Sequence, residues 1–404
     1  MSERPLLMIP GPIEISDAVR QAASGPPPGH LAPSLIAAFG LALRRMRHVW
    51  LSGASSQPLV VSGSGTLAME IAVLNTMQPG DRALVLHTGY FSARMADMLA
   101  RRSVNVDVVR APFGQAPETS EVESAIARAK EEKRPFKALF VTHVDTSTGV
   151  LADARALCGV ARANGLLSIV DGVCATGAER FEMEAWGADV YLTASQKAIG
   201  LPPGLALLVF SERALQARAR LEVAPPLSAD LDAWLPIMRA YEAGQPSYFA
   251  TPATPLIAAL AVGLGEILGA EGAAEPAGAE AAERAMNARF ALHERAAKAM
   301  RAAWAALGLA LVPARESITA HTLSAIQYPA GVDVSAVARI TAQGVIVAGG
   351  LDPENKAKYF RVGHMGYSAT QPAHLLRTIR AVTLGLGRSE DEARTAQRAA
   401  ESLL

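Results

Sequence analysis

The sequence is poor in cysteine, in lysine and in long apolar runs. Its two cysteines, Cys158 and Cys174, form no CxxC pair and no framework of bridges. A disulfide scaffold is thereby excluded, and a reducing, cytoplasmic setting is expected. No uncharged apolar stretch reaches the roughly eighteen residues of a membrane span, so no membrane partner is expected. Met1 to Ser16 has no cationic segment followed by an apolar one, which argues against a signal peptide. The end, Glu401-Ser402-Leu403-Leu404, matches no targeting tripeptide. Positive charge is not in excess: 38 Lys+Arg face 38 Asp+Glu. With no basic tail, this argues against a nucleic-acid partner. Eight histidines show no HxH or HExxH spacing, so no metal site is expected. Lysine is scarce within the 38 cations, only Lys130, Lys133, Lys137, Lys197, Lys298, Lys356 and Lys358; the other 31 are Arg.

What is present is length and hydrophobicity. The chain has 404 residues, half of them hydrophobic and 19% charged. That suffices for two or three domains around a large core. Pro10-Gly11-Pro12 breaks helix and strand alike, so residues 1–20 read as an arm. A helix is expected from Pro33 to Val49. Short runs that are apolar on both faces follow: Pro58–Val61, Ala83–His87, Ala138–His143, Leu166–Val170 and Val190–Thr193. Such runs are typical of buried parallel strands. Helical segments such as Leu67–Met77, Val122–Lys133 and Arg155–Asn164 alternate with them, which implies an α/β sheet covered on both faces. Leu205–Phe210 follows a turn too short for a crossover and is expected to be antiparallel. The charge run Arg128–Arg134 reads as a solvated helix end. Composition shifts near residue 268. A long helical pattern then runs to about Leu307, and short strands near Leu323–Ile326 and Gly344–Val347 suggest a smaller α+β unit.

Three features carry chemistry. Ser62-Gly63-Ser64-Gly65-Thr66 lies between a strand and a helix. Its glycines let backbone approach a ligand, and the helix start offers free N–H groups to an anion. No Gly-Lys-[Ser/Thr] follows, so it is not a Walker loop. A plain N-capped turn is the competing reading. Asp171 ends a buried strand, where open α/β sheets bind ligands; a capping or loop Asp is the alternative. Lys197 follows the fifth strand among small or uncharged neighbours. An arginine cannot lose its proton and form an imine, whereas a lysine can; a solvated loop lysine is the alternative. Together, an anion cradle, a buried carboxylate and a lysine are what pyridoxal 5′-phosphate (PLP) requires.

With these motifs assembled, the chain resembles fold-type I PLP enzymes of the class V aminotransferase group, and within it the alanine–glyoxylate branch. The resemblance runs through Pro10-Gly11-Pro12, Ser62 to Glu70, Thr142 to Gly149, Val170-Asp171, Ser195-Gln196-Lys197, Tyr248 to Pro252 and Arg361 to Gly366. It implies a mostly parallel seven-stranded sheet in a large PLP-binding domain (21–268). A linker helix and a smaller α+β domain (269–404) would follow. It implies that Lys197 is the Schiff-base lysine and Asp171 the partner of the pyridine nitrogen. Ser64, Gly65, Thr66 and Gln196 would contact the phosphate, and Thr146 the ring oxygen. Phe91 would stack on the ring, with Tyr90 as the competing assignment. Tyr248 and Thr251 would reach the phosphate of a neighbouring subunit, making a homodimer with shared sites. Arg361 would grip the substrate carboxylate, as a planar guanidinium does through two parallel bonds, with backbone at Gly11 opposite; a structural, salt-bridged Arg361 is the alternative. Cys174, near Asp171, reads as core packing ahead of a reactive thiol.

The activity so implied is ping-pong transamination, L-alanine plus glyoxylate to pyruvate plus glycine. Serine–pyruvate or serine–glyoxylate exchange is the alternative. A PLP lyase is disfavoured because no cysteine lies in a C-terminal loop. A non-catalytic PLP-binding protein is disfavoured by Lys197, Asp171 and Arg361 occurring together.

Overall fold

The computed structural model describes residues 4–270 and 272–404. The first strand is in the arm, β1 (Leu6–Leu7). The helix α1 (Asp17–Ser24) follows, so the expected arm already contains a helix start, capped by Ser16. Helix α2 (Pro33–Trp50) begins with proline at a first-turn position, where its missing N–H costs nothing.

Seven strands make the main sheet: β2 (Gln57–Ser62), β3 (Arg82–His87), β4 (Asn105–Arg110), β5 (Ala138–Thr142), β8 (Leu167–Asp171), β9 (Val190–Ala194) and β10 (Leu205–Phe210). The hairpin β6 (Val144–Asp145) and β7 (Val150–Leu151) stands apart from it. The strand order is β2-β10-β9-β8-β5-β3-β4. The pairs β3–β4, β3–β5, β5–β8 and β8–β9 are parallel, and β10 runs antiparallel to both β2 and β9. The central strands β5, β8, β9 and β10 are buried along their whole length. This is why they read as continuous apolar runs rather than as alternating ones. Strand β4, which the sequence reading did not name, is the half-exposed edge; Asp107 and Arg110 interrupt its apolar pattern.

A second sheet, β11-β14-β13, is built from β11 (Leu323–Gln327), β13 (Ala348–Gly349) and β14 (Tyr359–Gly363). The strand expected near Gly344–Val347 is β12 (Val345–Ile346); it lies outside this sheet and pairs in parallel with β1 of the arm. Leu6 and Met8 thereby enter a core with Trp304, Ile326, Phe360 and Val362. The long helix Ala279–Ala306 connects the two regions and contributes to both cores. No helix among the described residues is long and apolar enough to cross a membrane.

Candidate active site

The site lies where β8 and β9 end. Register pairs Thr142 with Asp171 and Asp171 with Leu192, so Asp171 is flanked on both sides by sheet. After it the chain must turn over the Tyr191 ring, and a Cβ at Gly172 would lie 2.1 Å from Tyr191 Cζ. Only glycine fits there. The Asp171 side chain is 2% exposed. One oxygen accepts from Val173 N at 2.9 Å, and the other has no donor among the described residues. Burial pushes its pKa from 3.8 up to about 7, and the nearby Asp145 adds to this. The Val173 N–H, Lys197 and Arg94 favour the anion and oppose the shift.

Lys197 sits in a tight loop after β9. Ser195 Oγ donates to Pro202 O at 2.7 Å and accepts from Leu205 N at 3.2 Å. Gly200, at φ +80°, lets the loop close by donating to Lys197 O at 2.8 Å. The lysine is 7% exposed, and its Nζ donates to Pro10 O of the arm. Burial pushes this amine below its usual range; the Arg361 cation adds to the effect, while Asp171 opposes it. The adjoining Gly11, at φ +95°, lies against the lysine stem, and a Cβ there would be 2.5 Å from Lys197 Cδ.

Arg361 reaches the same region from β14. Its Nε donates to Gly349 O at 2.9 Å and its Nη1 to Thr146 O at 3.0 Å. It is 9% exposed. Among the described residues it has no carboxylate partner, so it is not the salt-bridged structural arginine of the alternative reading. Nη2 has no protein acceptor there.

Ser64 caps helix α3 (Gly65–Thr76), its hydroxyl accepting from Leu67 N at 3.4 Å. A Cβ on Gly65 would lie 3.0 Å from Val173 and 3.4 Å from Ala194, so this helix start abuts the ends of β8 and β9. Its open N–H groups therefore face the same end of the sheet as Asp171 and Lys197. Gln196 adds a buried Oε1 with no partner, an orphan that calls for a ligand. Thr146 is buried.

Helix α4 (Tyr90–Arg101) starts beside them. Its first N–H groups are held by Asp145, which accepts from Phe91 N at 3.1 Å and Ser92 N at 3.2 Å. Ser147 Oγ accepts from Tyr90 N at 2.9 Å. The Tyr90 and Phe91 rings meet edge to face, 5.3 Å apart. Tyr90 lines a neighbouring cavity of about 340 Å³ with His87, Arg110 and Asp352, and Phe91 does not. Arg94 spans Tyr90 and Thr66, donating to Tyr90 Oη at 2.9 Å and to Thr66 Oγ1 at 3.2 Å.

Tyr248 and Thr251 stand apart. They touch each other, Oη to Oγ1 at 3.4 Å, and Tyr248 tilts against His30. Tyr248 is 60% exposed. Neither hydrogen-bonds to Lys197, Asp171 or Arg361.

Sequence reasoning missed Asp145, Arg94 and the Pro10 carbonyl. Asp145 had a usable signal: an Asp two residues before Ser147 is an Asx-turn pattern, and its Oδ1 accepts from Ser147 N at 3.0 Å. Arg94 had only its helical spacing from Tyr90. A carbonyl contact leaves no signal. Cys174 is buried, and burial pushes its thiol pKa up. Among the described residues no His/Cys/Asp/Glu group could hold a metal.

Chemically, the arrangement offers an anion seat, a buried carboxylate, a poised amine and a guanidinium with a free edge. The aminotransferase class-V family matches residues 42–292. Alanine–glyoxylate aminotransferase 1 of Saccharomyces cerevisiae is 37% identical over 90% of this chain and 92% of its own. L-aspartate–glyoxylate aminotransferase of Paracoccus denitrificans is 32% identical over 91% and 87%. The crystal structure of alanine–glyoxylate aminotransferase from Nostoc sp. superposes with a TM-score of 0.83 at 28% identity, covering 96% of each chain. The chain belongs to the class-V aminotransferase family.

Proposed function

We propose that this protein is a PLP-dependent aminotransferase that moves an amino group from L-alanine to glyoxylate. The observation that carries the reading is the pair Lys197 and Asp171, buried together at one end of the sheet beside the start of helix α3. Glyoxylate is common to the names of the three relatives, and alanine appears in two of them.

The residues present fit the cofactor. The free oxygen of Asp171 suits a protonated ring nitrogen, which would draw its pKa down again. The N–H groups of the α3 start and the orphaned Gln196 side chain suit a phosphate. Thr146 suits the ring oxygen, and Phe91 or Tyr90 the ring face. When bound, PLP supplies an electron sink for the substrate α-carbon. The protein's own residues do the rest. Arg361 turns its free edge to the substrate carboxylate. Lys197, kept neutral more readily by burial, would take the proton from the α-carbon of the amino donor and, in the second half-reaction, give one to the α-carbon of the acceptor. Asp171 keeps a negative charge opposite the ring nitrogen, and the Gly11 backbone closes the opposite side of the substrate.

The exposed pair Tyr248 and Thr251 supports a homodimer in which each subunit completes the other's phosphate seat. Two free, buried cysteines suit a cytoplasmic setting. The test is a donor and acceptor panel on the purified, yellow protein. Alanine, serine and aspartate are offered with glyoxylate or pyruvate, and the oxo acid formed is measured. Pyruvate and glycine from alanine and glyoxylate are expected, and Lys197→Ala should lower turnover by more than about a hundredfold. A protein that binds no PLP, or a Lys197→Ala variant with normal turnover, overturns the reading.

A further inference from the structure

The seat at Ser64–Thr66 carries no cation of its own. A phosphate monoester brings a charge of about −1.5 to −2, and a helix N-terminus offsets only about half a unit. Lys197 and Arg361 hydrogen-bond elsewhere, to Pro10 O and Thr146 O, and neither bonds to Ser64, Gly65 or Thr66. Among the described residues, Arg94 is the cation that hydrogen-bonds to a side chain of this seat. It comes from the neighbouring helix α4, and its Nη1 donates to Thr66 Oγ1 at 3.2 Å. Its Nη2 donates to Tyr90 Oη at 2.9 Å. The guanidinium also lies over two rings, 4.9 Å from the Tyr90 centroid and 5.2 Å from that of Phe91. Such contacts fix a cation's position without neutralising it. Among the described residues no carboxylate pairs with Arg94. A guanidinium has five N–H donors, and only two are used here.

Thr66 makes the geometry directional. Its oxygen accepts from Arg94, so its own O–H proton is left to donate outward. We propose that Arg94 is a binding residue for the cofactor phosphate, neutralising the anion at the α3 start and orienting the Thr66 hydroxyl toward it. This rests on the PLP reading above. It adds a residue from a second helix to a seat whose expected members all came from other segments.

The test separates phosphate from ring. Full-length protein freed of cofactor is titrated with PLP and with pyridoxal, which lacks the phosphate, and dissociation constants are read by absorbance. The variants are Arg94→Gln, which removes the charge, and Arg94→Lys, which keeps it but loses the fork. Circular dichroism checks that each is folded. Arg94→Gln should weaken PLP by about tenfold or more, as losing a charged hydrogen bond does, and leave pyridoxal within about twofold. Arg94→Lys should fall between, and it carries the test alone if Arg94→Gln does not fold. Equal losses for both ligands would assign Arg94 to ring packing and overturn the proposal, as would unchanged PLP affinity. Wild type that takes up no PLP removes the cofactor reading itself, a result distinct from wild-type uptake with indifferent variants.

Discussion

Replacing Asp171 by Asn should stabilise the cofactor-free protein, by an amount that depends on pH. In the folded chain burial raises the pKa of this carboxyl to about 7, from an ordinary 3.8. Between those values the folded state holds a proton that the unfolded chain has released. Stability therefore falls as pH rises through that window and is level above it. Each pKa unit is worth 1.36 kcal/mol, so the full cost of the ionised Asp171 comes to about 4 kcal/mol. Asparagine escapes this cost and still accepts from the Val173 N–H, since its amide keeps one carbonyl oxygen. The variant's advantage should be near zero at about pH 4 and grow to at most about 4 kcal/mol by about pH 8. The assay is denaturant unfolding of both proteins, stripped of cofactor, across that range. An advantage independent of pH, or a less stable variant at high pH, would refute the reasoning. With PLP present the sign should reverse. The carboxylate then faces a cationic ring nitrogen, and losing it should weaken cofactor binding.

Three further outcomes follow from the site. Arg361→Ala should raise the KM for the amino donor by roughly ten- to a hundredfold, the loss expected for a charge-assisted pair, while PLP binding persists; an unchanged KM ends the assignment. Gly11→Ala should lower both the melting temperature and kcat. The backbone there costs a side chain about 1–2 kcal/mol, and the new Cβ would stand 2.5 Å from Lys197 Cδ; normal turnover would show that the arm does not brace the lysine. Finally, Lys197→Ala and a Tyr248→Ala/Thr251→Ala double variant, each weak alone, should regain activity when co-expressed as hybrids. One site in each hybrid is then intact, and purified hybrids with no gain would exclude shared sites.

How much was legible beforehand depended on burial and on sequence distance. Strands β5, β8, β9 and β10 could be read because both their faces are covered, which forces an unbroken apolar run. The antiparallel sense of β10 followed from a connection too short to cross over. Strand β4 escaped because an edge strand keeps polar residues on its open side. The pairing of β1 with β12 was beyond reach, since two residues of local sequence cannot specify a partner hundreds of positions away. In the candidate site, Lys197, Asp171 and the Ser64–Thr66 turn could be singled out by residue type at a strand end, and the structure places them at one end of the sheet. Asp145 and Arg94 did not, because their meaning lies in what they touch: a helix start in one case, a neighbouring hydroxyl and two rings in the other.

The arm also joins two residues that the sequence keeps far apart. Met8 O accepts from Gly363 N at 2.7 Å, two positions beyond Arg361 on the same strand. Two residues further along the arm, Pro10 O holds the Lys197 amine. Met8, Ile9 and Pro10 thus span from the strand that carries the guanidinium to the tip of the lysine. Trimming this segment would remove a contact at both ends at once while leaving each side chain chemically whole.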